Sequence, residues 1–243
     1  MQLDFASREI TIKLVYYGPA LSGKTTNLVA LHARAGSDTR GRLMTLETQD
    51  DRTLFFDLLP LTFKSKDGDF SLRIKLFTVP GQPIHAATRK LVLQGADGVA
   101  LIVDSRISET NRNAEAFLDL RQNLKESGID IKKMPLVIQF NKRDMPDIRT
   151  DEELVRLASK GNEPVFRAIA TRGVGVVETF ICLLWLTWRS LDQSHQLAKK
   201  LSIDGEEMVK TAAQQLGVAT PFRDLIATRM GAVGANVLPG GTP

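Results

Sequence analysis

Residues Gly18-Pro19-Ala20-Leu21-Ser22-Gly23-Lys24-Thr25 fit the pattern GxxxxGK[ST] and fall between an apolar run, Ile10 to Tyr17, and a segment with helical spacing, Thr26 to Ala33. A glycine-rich turn that ends a buried strand and opens a helix is a phosphate cradle. Its glycines let successive backbone N–H groups converge, and the start of the helix adds partial positive charge. Gly18, Leu21, Ser22, Gly23 and Thr26 are expected to line the site. Lys24 is expected to reach the β- and γ-phosphates, and Thr25 to ligate Mg²⁺.

The rest of the chain alternates apolar runs with helical patterns. Thr53 to Phe63 and Phe70 to Val79 flank Lys66-Asp67-Gly68-Asp69, whose Asp-Gly pair favours a tight hairpin. Pro60 cannot donate to a ladder, which puts the first of these strands at the sheet edge. Gly98 to Val103, Leu136 to Phe140 and Val165 to Ala170 are short and continuously apolar, as parallel strands covered on both faces are. Helical spacing fills Thr110 to Ser127, Asp151 to Lys160 and Val176 to Gln193. These elements predict an α/β fold: a six-stranded, mostly parallel sheet with one antiparallel edge strand and helices on both faces.

At 243 residues, 43% hydrophobic and 25% charged, the chain can hold one full core with an appendage. We expect a domain over residues 1–190 and a C-terminal extension over 191–243. The extension reads as a helix at Ile203 to Leu216, a second at Pro221 to Met230, and a disordered Gly/Pro-rich tail from Gly231. Its acidic and basic residues balance, which argues against a polybasic membrane anchor. The longest apolar run, Phe180 to Leu186, is far short of the ~20 residues that span a bilayer. Cys182, the single cysteine, excludes an intrachain disulfide, so a cytoplasmic setting is expected. Neither a leader peptide nor a lipidation box is expected at the ends. A net charge of +4, with lysines and arginines interleaved among acids, argues against nucleic acid as a partner.

Asn141-Lys142-Arg143-Asp144 directly follows the strand Leu136 to Phe140, at the mouth where a base would lie. Asp144 offers two acceptor oxygens for the N1–H and exocyclic amine of guanine, a donor pair that adenine lacks on that edge. Lys142 can cover the ring with its stem, and Asn141 can bond N7 or brace the loop. Together with the phosphate loop, this selects GTP and GDP.

The order of these motifs resembles Ras-like small GTPases with a P-loop fold. Four stretches resemble the MglA family of gliding and polarity GTPases: Leu14 to Leu28, Asp51 to Leu61, Thr78 to Gln82 and Val137 to Pro146. The resemblance covers roughly residues 5–190. It implies that Thr78-Val79-Pro80-Gly81-Gln82 stands where most relatives have DxxGQ, with Gly81 N–H holding the γ-phosphate and Gln82 orienting the attacking water. Without the aspartate, metal binding is expected to lean on Thr25 and the phosphates. The resemblance further implies that Arg52 is an arginine finger supplied from within the chain and that Thr53 completes the metal shell. It also places Ala170 and Thr171 against the guanine carbonyl.

The implied activity is that of a molecular switch. GTP would order residues 40–53 and 80–94, and hydrolysis, slow without help, would release them. The implied partners are a roadblock-domain activator of the MglB kind and polarity or motility effectors at a cell pole, with the chain itself a monomer. The activator is expected to dock along the apolar edge strand Thr53 to Phe63. A different reading, a GTP-binding scaffold with little hydrolysis, rests on Ala20, since the family has glycine where the loop passes the γ-phosphate.

Overall fold

A computed structural model describes residues 1–46 and 56–218. The strands are β1 (Gln2–Asp4), β2 (Glu9–Tyr17), β3 (Met44–Leu46), β4 (Phe56–Lys64), β5 (Ser71–Thr78), β6 (Gly98–Asp104), β7 (Leu136–Asn141) and β8 (Val165–Arg167). The helices are α1 (Lys24–Arg34), α2 (Ala86–Leu93), α3 (Thr110–Glu126), α4 (Asp151–Lys160), α5 (Val176–His195), α6 (Leu197–Leu201) and α7 (Gly205–Gln215).

One sheet runs in the order β3-β4-β5-β2-β6-β7-β8, with β1 antiparallel to the start of β2. From β5 to β8 every pairing is parallel, while β4 runs antiparallel to β5 and β3 antiparallel to β4. The six strands read from the sequence are therefore joined by two more. Both β1 and β3 are three residues long, too short for an alternating pattern to stand out.

The antiparallel edge is also two strands deep. Pro60 does face away from β5, and its carbonyl accepts from Gly41 N at 2.9 Å. Thr62 N in turn donates to Thr39 O at 2.7 Å. The chain returning from α1 thus lies along β4 and covers the edge that was expected to be open. The expected strand start at Thr53 lies outside the described residues.

Alternation along β2 divides the core. Ile12, Leu14 and Tyr16 point into a cluster with α1, α5 and α7, while Val15 and Tyr17 point into a second cluster with α2, α3 and α4. The hairpin β4–β5 sends Leu59, Leu61, Phe63, Leu72, Ile74 and Leu76 into the first cluster. Beyond residue 191, α5 continues to His195, and α7 lays Met208, Val209, Ala212, Ala213 and Leu216 into that same cluster. Residues 80–94, expected to be ordered by GTP, contain α2. The expected helix at Pro221 to Met230 and the tail from Gly231 lie outside the described residues. Among the described residues no helix is long and apolar enough to cross a membrane.

Candidate functional site

The carboxyl end of β2 lies between β5 and β6, at the point where the sheet order reverses and α/β folds bind ligands. There Gly18 takes φ 143°, and a Cβ on it would overlap the carbonyl of Ile102 on β6. Gly23 takes φ 97° at the start of α1, where a Cβ would overlap the side-chain amide of Asn141. Both motif glycines are thus demanded by close approach as well as by conformation. Helix α1 opens with no side-chain cap and no acid in its own first turn, so its positive end faces the loop. The Ser22 hydroxyl is buried without a hydrogen-bond partner among the described residues.

Lys24 is buried and curls back over the loop, its Nζ donating to Gly18 O at 2.9 Å and Pro19 O at 2.6 Å. Burial pulls its ammonium down to about 8, the Arg89 guanidinium adds to that, and the Asp57 carboxylate opposes both. A partly desolvated cation held by carbonyl oxygens is poised to take an anion.

The second loop is locked to the first through Asn141. Its Nδ2 donates to Ser22 O at 2.9 Å, and its Oδ1 accepts from Ala170 N at 2.9 Å. Of the two roles open to Asn141, the geometry is that of the brace. Ala170 and Thr171 stand in a short 3-10 turn, Ala170–Arg172, and Asp144 is exposed at the mouth.

Lys142, at φ 63°, forms an ion pair of 2.7 Å with Asp104 at the end of β6. Asp104 also receives Arg106 Nε at 3.1 Å and Nη2 at 2.8 Å. Burial would raise the Asp104 carboxyl, but the hydrogen bonds from Arg106 and Lys142 outweigh it and hold it down at about 2. The lysine is thereby fixed by a carboxylate ionised at any physiological pH.

Beside the phosphate loop, sequence reasoning expected no carboxylate, because Thr78 replaces the usual aspartate. The structure brings one in from the neighbouring strand. Asp57, on β4, is buried, and its Oδ2 accepts from Thr25 Oγ1 at 2.6 Å and from Thr78 Oγ1 at 2.9 Å. Its Oδ1 accepts from Thr45 Oγ1 on β3 at 2.9 Å, while its own N–H donates to Thr78 Oγ1 at 2.9 Å. Thr78 thus positions a carboxylate rather than supplying one. The signal was present: Asp57 is the lone acid in an apolar strand, on the inward face with Leu59, Leu61 and Phe63.

Gly81 lies on the phosphate loop so closely that a Cβ there would overlap the backbone of Ala20 and Pro19. Gln82 follows, its side chain exposed. Arg52 and Thr53 lie outside the described residues. Gly18, Ser22, Gly23, Lys24, Thr25, Gly81, Asn141 and Ala170 are therefore brought together at one end of the sheet, with Asp57, Asp104 and Arg89 added to the set.

No protein-family profile matches the chain. A curated relative does: the mutual gliding-motility protein MglA of Myxococcus xanthus (strain DK1622) is 48% identical over 177 residues, which cover 73% of this chain and 90% of the relative. With that identity carried by a Ras-like sheet and a phosphate loop at its reversal point, the chain belongs to the MglA family of Ras-like small GTPases.

Proposed function

We propose that this protein is a guanine-nucleotide switch that binds GTP and GDP with Mg²⁺ and hydrolyses GTP slowly until a partner completes its site. The observation that carries this reading is the three-way lock at the carboxyl end of the sheet. One side chain, Asn141, ties the phosphate loop to the NKRD loop and to Ala170, so the phosphate and base halves form one rigid site. In it Lys24, with the N–H groups of Gly18 to Thr26, takes the phosphates. Asp144 reads guanine, Lys142 lies along the ring, and Ala170 and Thr171 approach the guanine carbonyl.

The oxygen donors suit a small hard cation. The Thr25 hydroxyl, oriented by the hydrogen bond that it donates to the Asp57 carboxylate, would hold Mg²⁺, with Thr53 as a further ligand. When bound, that ion neutralises charge on the β- and γ-phosphates. Gly81 N–H holds the γ-phosphate, Gln82 orients the attacking water, and Arg52 stabilises the charge that develops on the transferring group. A finger of this kind raises rates about 10³- to 10⁵-fold. A roadblock-domain activator, polar or motility effectors and a cytoplasmic site of action recruited to a pole complete the reading. Its test is competition of GTP against ATP for the site, followed by phosphate release with and without that activator. Binding that prefers ATP would reject it.

A second reading has its own observation. Gly81 rests directly on the backbone of Ala20, so the residue that stands where the family has glycine lies against the loop that carries Gln82. A GTP-binding scaffold that hydrolyses little would follow. Turnover of Ala20→Gly against the natural protein, with saturating activator, separates the two: a large gain with glycine favours the scaffold.

A further inference from the structure

Arg89, on α2, is buried, an uncommon state for an arginine and a costly one unless the charge is paired. Its Nε donates to Asp119 Oδ2 on α3 at 2.8 Å, and its Nη1 donates to the main-chain carbonyl of Gln82 at 2.6 Å. Asp119 also accepts the hydroxyl of Tyr17, the last residue of β2 before Gly18. Asn123 braces both, donating to the Tyr17 hydroxyl at 3.0 Å and to Asp119 O at 2.9 Å. An unbroken chain of bonds therefore runs from the root of the phosphate loop through α3 to Gln82. It lines a cavity of about 620 Å³ between the phosphate loop, α2 and α3.

Resting on the hydrolytic reading above, we propose that Arg89 is a positioning residue for Gln82. It fixes the glutamine's main chain so that only the side chain has to turn when water is to be oriented. The neighbouring Gly81 is pressed against Ala20 and Pro19, so residue 82 is held from two sides while its side chain stays exposed. A forked guanidinium can serve a carboxylate and a carbonyl through separate nitrogens, whereas a lysine offers one nitrogen on a flexible stem. Holding a catalytic group within a fraction of an ångström of its working place is a large share of catalysis.

The test is single-turnover GTP hydrolysis by the full chain, its rate constant taken as kcat for the chemical step, with GDP affinity measured in parallel. Arg89→Ala is expected to lower kcat about tenfold or more while GDP affinity moves by less than about threefold. Arg89→Lys, which keeps the cation and most of the packing, is expected to stay low as well. The decisive arm is Gln82→Ala: adding Arg89→Ala to it is expected to cost nothing further, because the arginine acts only through the glutamine. An unchanged or raised kcat in Arg89→Ala, wild-type kcat in Arg89→Lys, or an equal further loss in the Gln82→Ala background would each overturn the proposal. A natural protein that binds GTP but releases no phosphate would overturn the hydrolytic reading and this one with it. A rate that persists unaltered in Arg89→Ala would sink this one alone.

Discussion

Asp57 is held by three threonine hydroxyls from three elements, Thr25 on α1, Thr45 on β3 and Thr78 on β5. Asp57→Asn keeps the shape but removes the charge. It is expected to raise the Mg²⁺ concentration that half-saturates nucleotide retention at least about tenfold, near the 10- to 100-fold cost typical of outer ligands. Release of a fluorescent GDP analogue across a Mg²⁺ titration measures it.

Lys24 makes a prediction about pH. Its amine is pulled down to about 8 in the free protein, first by burial and then by Arg89, and phosphate beside it restores the charged form. Binding at pH 8.5 should therefore take up protons, and affinity should fall as pH rises through 8. Calorimetry in two buffers of different ionisation enthalpy reads the uptake directly. Equal heats in both would count against it.

Among the elements, α7 shows what periodicity reads well and what it reads poorly. The amphipathic spacing of Ile203 to Leu216 foretold a helix, and Gly205–Gln215 is one, capped by Asp204 through the N–H groups of Glu206 and Glu207. Where its apolar face would go was not legible, because a pattern names a face and not its partner. The face lies on α5 and on β4, beginning with Gly205 set against the indole of buried Trp188. A Cβ at Gly205 would overlap that ring. Gly205→Ala is accordingly expected to destabilise the fold by about 1–3 kcal/mol despite the better helix propensity of alanine, seen as a lowered Tm.

The same limit explains β3. Three residues carry no usable pattern, and the strand exists because β4 offers it an edge to pair with. Helix α4, by contrast, was legible to the residue, since Thr150 and Glu153 form a capping box at Asp151–Lys160.

For the molecule as a whole, the first core cluster joins β2, the β4–β5 hairpin, α1, α5 and residues 197–216 into one packed body. Leu216 is fully buried there, 21 residues past the end of α5. Leu216→Ala is expected to cost about 2–5 kcal/mol and to shift a single calorimetric transition by roughly 2–4 °C per kcal/mol, rather than splitting it. An unaltered main transition would mean that the segment beyond α5 is an independent appendage.

The local geometry of the glycine-rich loop and of the Asn141–Asp144 loop was written in residue types at fixed spacing. A glycine-rich turn needs no distant partner to cup an anion, and an aspartate after a strand needs none to offer two acceptors. For the same reason the strands and helices around them could be read from period alone. The convergence of distant residues was decided by folding. Asp57 meets Thr25 and Thr78 only because β4 lies beside β5, Asn141 bonds both loops only because β7 and β2 flank β6, and Arg89 reaches Asp119 only because α2 packs on α3. Spacing along a chain records local geometry. Contacts between residues far apart in it come into being when burial of the apolar faces brings those residues together.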